Sequence, residues 1–323
     1  MTELERIDQS LRAQLDILRH SSSTEEEVLR LLEEMRKELI TKLASGNLTA
    51  WGKTRINAML KDAETTIAAY YAQVQAVLHP TYNVVAGVAA SQAMAASIPS
   101  RTALESIVSN VMIDGAATKT WWSKIATDTA FKFKAAVRQG LMQGETQAQI
   151  FKRVNTVVGL AGRNSVALVH TSIMQTMNDA TEATLQKNAD VTPTMRHLST
   201  LDSSTCIVCG SRDGLEWDTL TKEPVGHDLP YITPPLHFGC RCKLVGVTKL
   251  SKLINGQRAS MFGPVDRKVT FNDFLGRQSP AFQNEVLGKG RAELYRSGKL
   301  TMRDLVSGTG APLSLDKLVS KYT

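Results

Sequence analysis

Cysteine is scarce in this chain: four residues in 323, Cys206, Cys209, Cys240 and Cys242, with none elsewhere. Long apolar runs are missing too. A membrane-spanning helix needs about 20 consecutive apolar residues. The nearest approach is the stretch between Glu64 and Arg101, 36 residues without Asp, Glu, Lys or Arg. Pro80, Pro99, Gln73, Gln75, Asn83, Ser91 and Gln92 interrupt it, so it reads as Ala-rich helix packed against protein, with no membrane span. MTELERIDQS carries no basic stretch followed by an apolar run, so no secretory signal is read and a reducing compartment is expected. GxxxxGK[ST], GxGxxG and GxSxG are all absent, and no Cys, Ser or Asp has an identifiable catalytic partner. There is no internal repeat and no low-complexity linker. What remains, 42% hydrophobic and 21% charged, suits a soluble protein with a full core and is too apolar for disorder.

The net charge of +7 is unevenly spread. Lys243 to Thr323 holds 14 Lys or Arg against 6 Asp or Glu, while the preceding 242 residues hold 24 against 25. The basic excess therefore belongs to the last quarter, and suits either an acidic partner such as nucleic acid or a solvated tail. Aromatic residues are few, 6% of the chain, so stacking platforms do not accompany it.

The first 190 residues have helical periodicity. Leu4, Ile7, Leu11, Leu15 and Leu18 form one face. HSSSTEEE then predicts a break and a restart, with Thr24 and Glu27 as a capping box. The face Val28, Leu31, Leu32, Met35, Leu39, Leu43 follows, ended by Gly46. Further helices are expected over about 48–79, 84–97, 101–113, 118–143, 146–157 and 163–189, punctuated by Gly115, Gly144, Gly159 and Gly162. Short connections imply antiparallel packing. Trp121 and Trp122 read as core anchors, and His170 and Asn178 as packed helix residues.

After Asn188 the character changes. VTPTMRHLSTLDSSTC suggests a strand leading to the first cysteine pair, and KLVGVTKL a second strand after Cys242. Between them Gly210, Gly214, Pro224, Gly226, Pro230, Pro234 and Pro235 make a loop that is long unless something pins it. Asp213-Gly214 reads as a turn. In the tail, NDFLGRQSPAFQNEVL, AELYRSG, TMRDLV and LDKLV carry short helical signals.

The pin is sought in the cysteines. Cys206 and Cys209 form a Cys-x-x-Cys pair, and His237 stands at the same spacing from Cys240. Thiolate and imidazole suit zinc, whose structural sites are closed by four ligands. Five candidates, Cys206, Cys209, His237, Cys240 and Cys242, compete for four places, and spacing leaves a four-cysteine and a three-cysteine, one-histidine site both open. Disulfides are disfavoured in a reducing compartment. GHDLP, with His227 before Asp228, allows a His-Asn-His type nuclease to be entertained, but no matching Asn and His follow on a helix.

LDSSTCIVCGSRDGLEW followed by PPLHFGCRCKLV resembles the signature of the Mu-type phage minor head protein family, the phage head morphogenesis domain. The pattern falls on Asp202, Thr205, Cys206, Cys209, Asp213, Gly214, Pro234, Pro235, His237, Cys240, Arg241 and Cys242. The resemblance covers about residues 100–320. Phe238 and Gly239 depart from it, standing where such proteins commonly have a proline. It implies a non-enzymatic virion component of the head interior or neck, found in host cytoplasm during assembly. It also implies a structural zinc ion, and partners in the portal protein and the major capsid or scaffolding protein. The basic tail adds double-stranded DNA.

The expected architecture is mainly α. A helical region at 1–100 precedes a head-morphogenesis-like domain at 101–250, whose zinc-stapled α+β module spans 194–250, and a basic helical extension at 251–323. The alternatives are a zinc-containing nucleic-acid-binding protein and a nuclease.

Overall fold

A computed structural model gives the architecture and describes residues 3–93, 97–248 and 256–322, those of 3–16 and 18 by backbone alone. The stripe Leu4, Ile7, Leu11, Leu15 and Leu18 thus lies outside the described side chains, as do Lys249 and Leu250 of the second expected strand. The chain is mainly helical with a small sheet region, and forms two compact units. One comprises Met1–Val88 and Glu105–Thr176, the other Ala89–Leu104 and Met177–Thr323.

The first unit is built on long helices. The first, α1 (Glu3–Ala44), runs unbroken through HSSSTEEE, so the expected restart and the capping box at Thr24 do not occur. The reason lies in the buried stripe Ile17, Ser21, Thr24, Val28, Leu31, Met35, Leu39, Leu43, which keeps helical spacing across the polar stretch. Thr24 Oγ1 donates to the His20 carbonyl at 2.7 Å and lies 2.8 Å from Thr81 Oγ1, so its burial leaves no polar atom stranded. A 3₁₀ turn at Leu48–Ala50, capped by Asn47, delays α2 to Lys53–Gln92. Pro80 sits inside α2, where a boundary was expected. Its missing N–H is tolerated because Val74, Leu78, Tyr82 and Val85 bury one face on both sides of it.

Next come α3 (Arg101–Ser109) and a tight hairpin, β1 (Met112–Ile113) with β2 (Ala116–Ala117). Asp114 and Gly115 turn it with φ of 48° and 75°, the left-handed pair that an Asp-Gly hairpin uses, and this ends α3 before residue 113. After α4 (Thr118–Met142), the single helix α5 (Gln147–Lys187) replaces the two that Gly159 and Gly162 were expected to separate. Val154, Val158, Ala161, Ser165, Leu168 and Ser172 form one buried stripe through both glycines, which outweighs their low helix propensity. Within this unit α1 meets α2 antiparallel at Thr24–Thr81 and Lys42–Asp62. Likewise α2 meets α4 at Glu64–Lys134 and Tyr71–Thr129.

The second unit holds a four-stranded antiparallel sheet. Its centre is β3 (Thr194–Leu198), flanked by β4 (Glu216–Asp218) and β6 (Lys243–Val247), with β5 (Pro224–Val225) outside β4. The strands expected before Cys206 and after Cys242 are thus paired with each other. Met195, Trp217 and Leu244 bury one face with Leu185, Leu229 and Val306. The tail adds a hairpin, β7 (Gln257–Ser260) and β8 (Gly263–Asp266), that had not been expected. Its short helices follow as α7 (Phe271–Gly276), α8 (Pro280–Leu287), α9 (Lys289–Arg296), a 3₁₀ turn at Met302–Leu305, and α10 (Leu315–Tyr322). Their core, Phe271, Phe274, Leu275, Leu287, Met302, Leu305 and Leu318, closes on Leu201, just ahead of the first cysteine pair.

Candidate metal centre

Between β3 and β4 the chain makes one helical turn, α6 (Ile207–Gly210), with Cys206 as its N-cap in extended geometry. That turn brings Cys209 back beside Cys206, and the Gly210 N–H bonds the Cys206 carbonyl at 2.9 Å. Gly210 must lack a side chain, since a Cβ there would lie 2.5 Å from Phe271. Thr205 Oγ1 ties the approach to the Thr200 carbonyl at 2.6 Å. The second run of ligands follows a cis Pro234-Pro235 bond. Cys240 N–H bonds the His237 carbonyl at 3.1 Å, and Gly239 at φ 75° completes this turn at the position where the resemblance departs. Arg241 donates to both oxygens of Asp202, at 2.5 and 2.8 Å, and joins the two cysteine segments.

These constraints bring together all five expected ligand residues, in two groups that share Cys209: Cys206, Cys209 and His237, and Cys209, Cys240 and Cys242. His237 Nε2 lies 3.2 Å from Cys206 Sγ and 3.3 Å from Cys209 Sγ, and Cys209 Sγ lies 3.7 Å from Cys240 Sγ. Tetrahedral zinc–sulfur and zinc–nitrogen bonds set sulfur–sulfur edges of about 3.8 Å and sulfur–nitrogen edges of about 3.6 Å. The Cys209–Cys240 edge matches that spacing, the two His237 edges are shorter by about 0.3–0.4 Å, and the donors gather in threes around Cys209. His237 Nδ1 stands 2.9 Å from the Phe238 carbonyl, which can only accept, so Nδ1 donates there and Nε2 faces the sulfurs. None of the four cysteines is in a disulfide.

The electrostatics of the cluster point the same way. Cys209, with His237 second, holds the Cys206 thiol down to about 4, and the Cys206 sulfur raises His237 to about 9. The sulfurs of Cys206, Cys240 and Cys242 drive Cys209 up, because another anion among them is unfavourable. A bound cation removes that conflict by deprotonating every thiol it ligates. These Cys and His groups could therefore hold a metal ion.

The long loop has protein pins as well. Trp217 Nε1 donates to the Leu229 carbonyl at 2.9 Å, and Tyr231 and Thr233 donate to Glu182 at 2.7 and 2.8 Å. His227 belongs to neither ligand group: its Nε2 is 2.8 Å from the Glu216 carbonyl and its Nδ1 accepts from Leu229 N at 3.2 Å. Sequence reasoning missed what Asn178 does. From α5 its amide donates to the Cys242 carbonyl at 3.1 Å and accepts from Leu244 N at 2.9 Å, fixing the end of the ligand segment. Such a buried Asn on a helix face was the available signal. It also missed His197 of β3, fully buried near the sulfurs, where burial pushes its imidazole down to about 4.

No described helix is long and apolar enough to cross a membrane. No curated protein and no solved structure matches the chain. Residues 131–245 match the family model described as Phage Mu protein F like protein, a segment that takes in all five ligand candidates. Over that segment, about a third of the chain, the protein is similar to a phage head morphogenesis family.

Proposed function

We propose that this protein is a non-enzymatic minor component of a tailed-phage head, acting in head assembly or in genome packaging and delivery near the portal. The observation that carries the reading is the coincidence of the family segment, 131–245, with the ligand cluster. In this account one zinc ion per chain, held by four of Cys206, Cys209, His237, Cys240 and Cys242, staples α6 to the segment before β6. The ion supplies cross-linking alone, holding two loops that the short sheet cannot hold by itself. Portal protein and major capsid or scaffolding protein are the partners, and the exposed tail cations face double-stranded DNA. The engagement of both His227 ring nitrogens with backbone supports a protein without nuclease chemistry.

The test is made in assembling phage. A phage lacking this protein is complemented with wild-type chain or with Cys209→Ser, which removes the sulfur common to both ligand groups. Wild-type chain should carry about one zinc, enter heads and restore infectious particles, while the variant should lose zinc and fail to enter heads. Normal heads in the complete absence of the protein would overturn the assembly role. Zinc-free wild-type chain in functional heads would overturn the staple.

A further inference from the structure

Arg212 is one of the largest fully buried side chains described, 1% exposed. It follows Cys209 in the same turn, its own N–H bonding the Cys209 carbonyl at 3.2 Å. Its guanidinium makes one hydrogen bond, from Nη1 to the Pro230 carbonyl at 2.8 Å, and lies 5.9 Å from the centre of the Trp217 ring. Nε and Nη2 are buried with no hydrogen-bond partner. Gly310, at φ 84°, roofs the group so closely that a Cβ there would stand 2.6 Å from Nη2.

A buried guanidinium is costly unless an anion offsets it. The carboxylates next to Arg212 and its partner Pro230 are committed elsewhere, Asp213 to Arg258 and Asp228 to Arg303. Burial works most strongly against the Arg212 charge, the Cys209 sulfur works for it, and Arg303 works against it. Cys209, one turn back and bonded through its carbonyl to the Arg212 N–H, is the anionic group that acts on this guanidinium. A dication held by three thiolates and an imidazole keeps one net negative charge, and one held by four thiolates keeps two.

We propose that Arg212 is the fixed counter-charge of the metal–thiolate centre, a positioning residue that touches no metal and sets how tightly the site holds it. This rests on the zinc reading above. The experiment uses full-length wild-type chain, Arg212→Lys and Arg212→Met, with zinc affinity measured by chelator competition and the ligand set checked by cobalt(II) absorption. Met should weaken zinc binding about 10- to 100-fold, the usual effect of a lost outer partner, while Lys retains most of it. The cobalt spectrum should be the same in all three, since no ligand changes. Should Arg212→Met fail to fold, Arg212→Gln, neutral but still able to donate to Pro230, carries the same expectation. Met or Gln binding zinc within about twofold of wild type would overturn the counter-charge role. So would Lys binding as weakly as Met, which would make the side chain a matter of packing. Wild-type chain that binds no zinc would overturn the metal centre itself and this inference with it.

Discussion

Asp213 receives four hydrogen bonds: from Ser199 N at 2.7 Å, Phe271 N at 2.6 Å, and Arg258 at 2.9 and 3.1 Å. Its side chain is fully buried and that of Arg258 nearly so, at 0% and 12% exposed. The sequence marks Asp213-Gly214 as a turn, and Gly214 indeed has φ 83°. The carboxylate's work was not legible, because its partners lie 14, 45 and 58 residues away along the chain. Asp213→Ala leaves Arg258 buried without its anion and should cost about 3–5 kcal/mol in urea unfolding. A loss below about 1 kcal/mol would mean that the pair is not a structural hub. The closeness of Cys206 to Cys209 and of His237 to Cys240, by contrast, was legible, since Cys-x-x-Cys and His-x-x-Cys are local patterns. Which of them a metal would take was not, because that depends on where two remote turns meet. Cys206→Ser, His237→Ala and Cys242→Ser, compared by cobalt(II) absorption, should separate the residues: loss of a true ligand changes the spectrum, and loss of a bystander does not.

At the scale of elements, helical periodicity was readable and helix ends were not. The face from Val28 to Leu43 is buried as its spacing indicates. The break before it was misread because Ser21 and Thr24 continue that face as small polar residues, satisfied by Glu25 and by His20 with Thr81. The same holds at Gly159 and Gly162, where a buried stripe overrides a breaker signal. A methyl group added at either glycine would meet nothing within 4 Å, and both have ordinary helical φ. Replacing each with Ala should therefore stabilise α5 by about 0.5–1 kcal/mol per site, read as a rise in thermal midpoint. An unchanged or lower midpoint would place something against those positions. Strands β4 and β5, of three and two residues, were invisible because alternation cannot be recognised over so short a run.

For the molecule as a whole, the basic excess of the tail is partly spent within the second unit. Arg258 pairs with Asp213, Arg303 pairs with Asp228, and Arg291 donates to the Leu313 carbonyl. Lys268, Lys289, Lys299, Lys317 and Lys321 remain exposed. Cutting the chain at Lys243 would remove the core that covers Leu201 and the partner of Asp213, so it would report folding instead of DNA contact. Replacing Lys289, Lys299, Lys317 and Lys321 with Gln tests DNA contact cleanly. If the tail lies along DNA, retention should fall at low salt and the slope of log affinity against log salt should shrink by about 3 to 4. An unchanged slope would remove DNA from the list of partners.

The roof that Gly310 places over Arg212 has a consequence for synthesis. A ribosome delivers Cys206 through Cys242 well before it delivers Gly310. The candidate ligands are thus all present while the guanidinium still faces water, and the last segment then covers Arg212. Under the zinc reading, with Arg212 setting how tightly the site holds the ion, order of translation becomes order of loading. In cell-free synthesis, chelator present only during elongation and followed by excess zinc should leave more metal-free chain than chelator removed before synthesis begins.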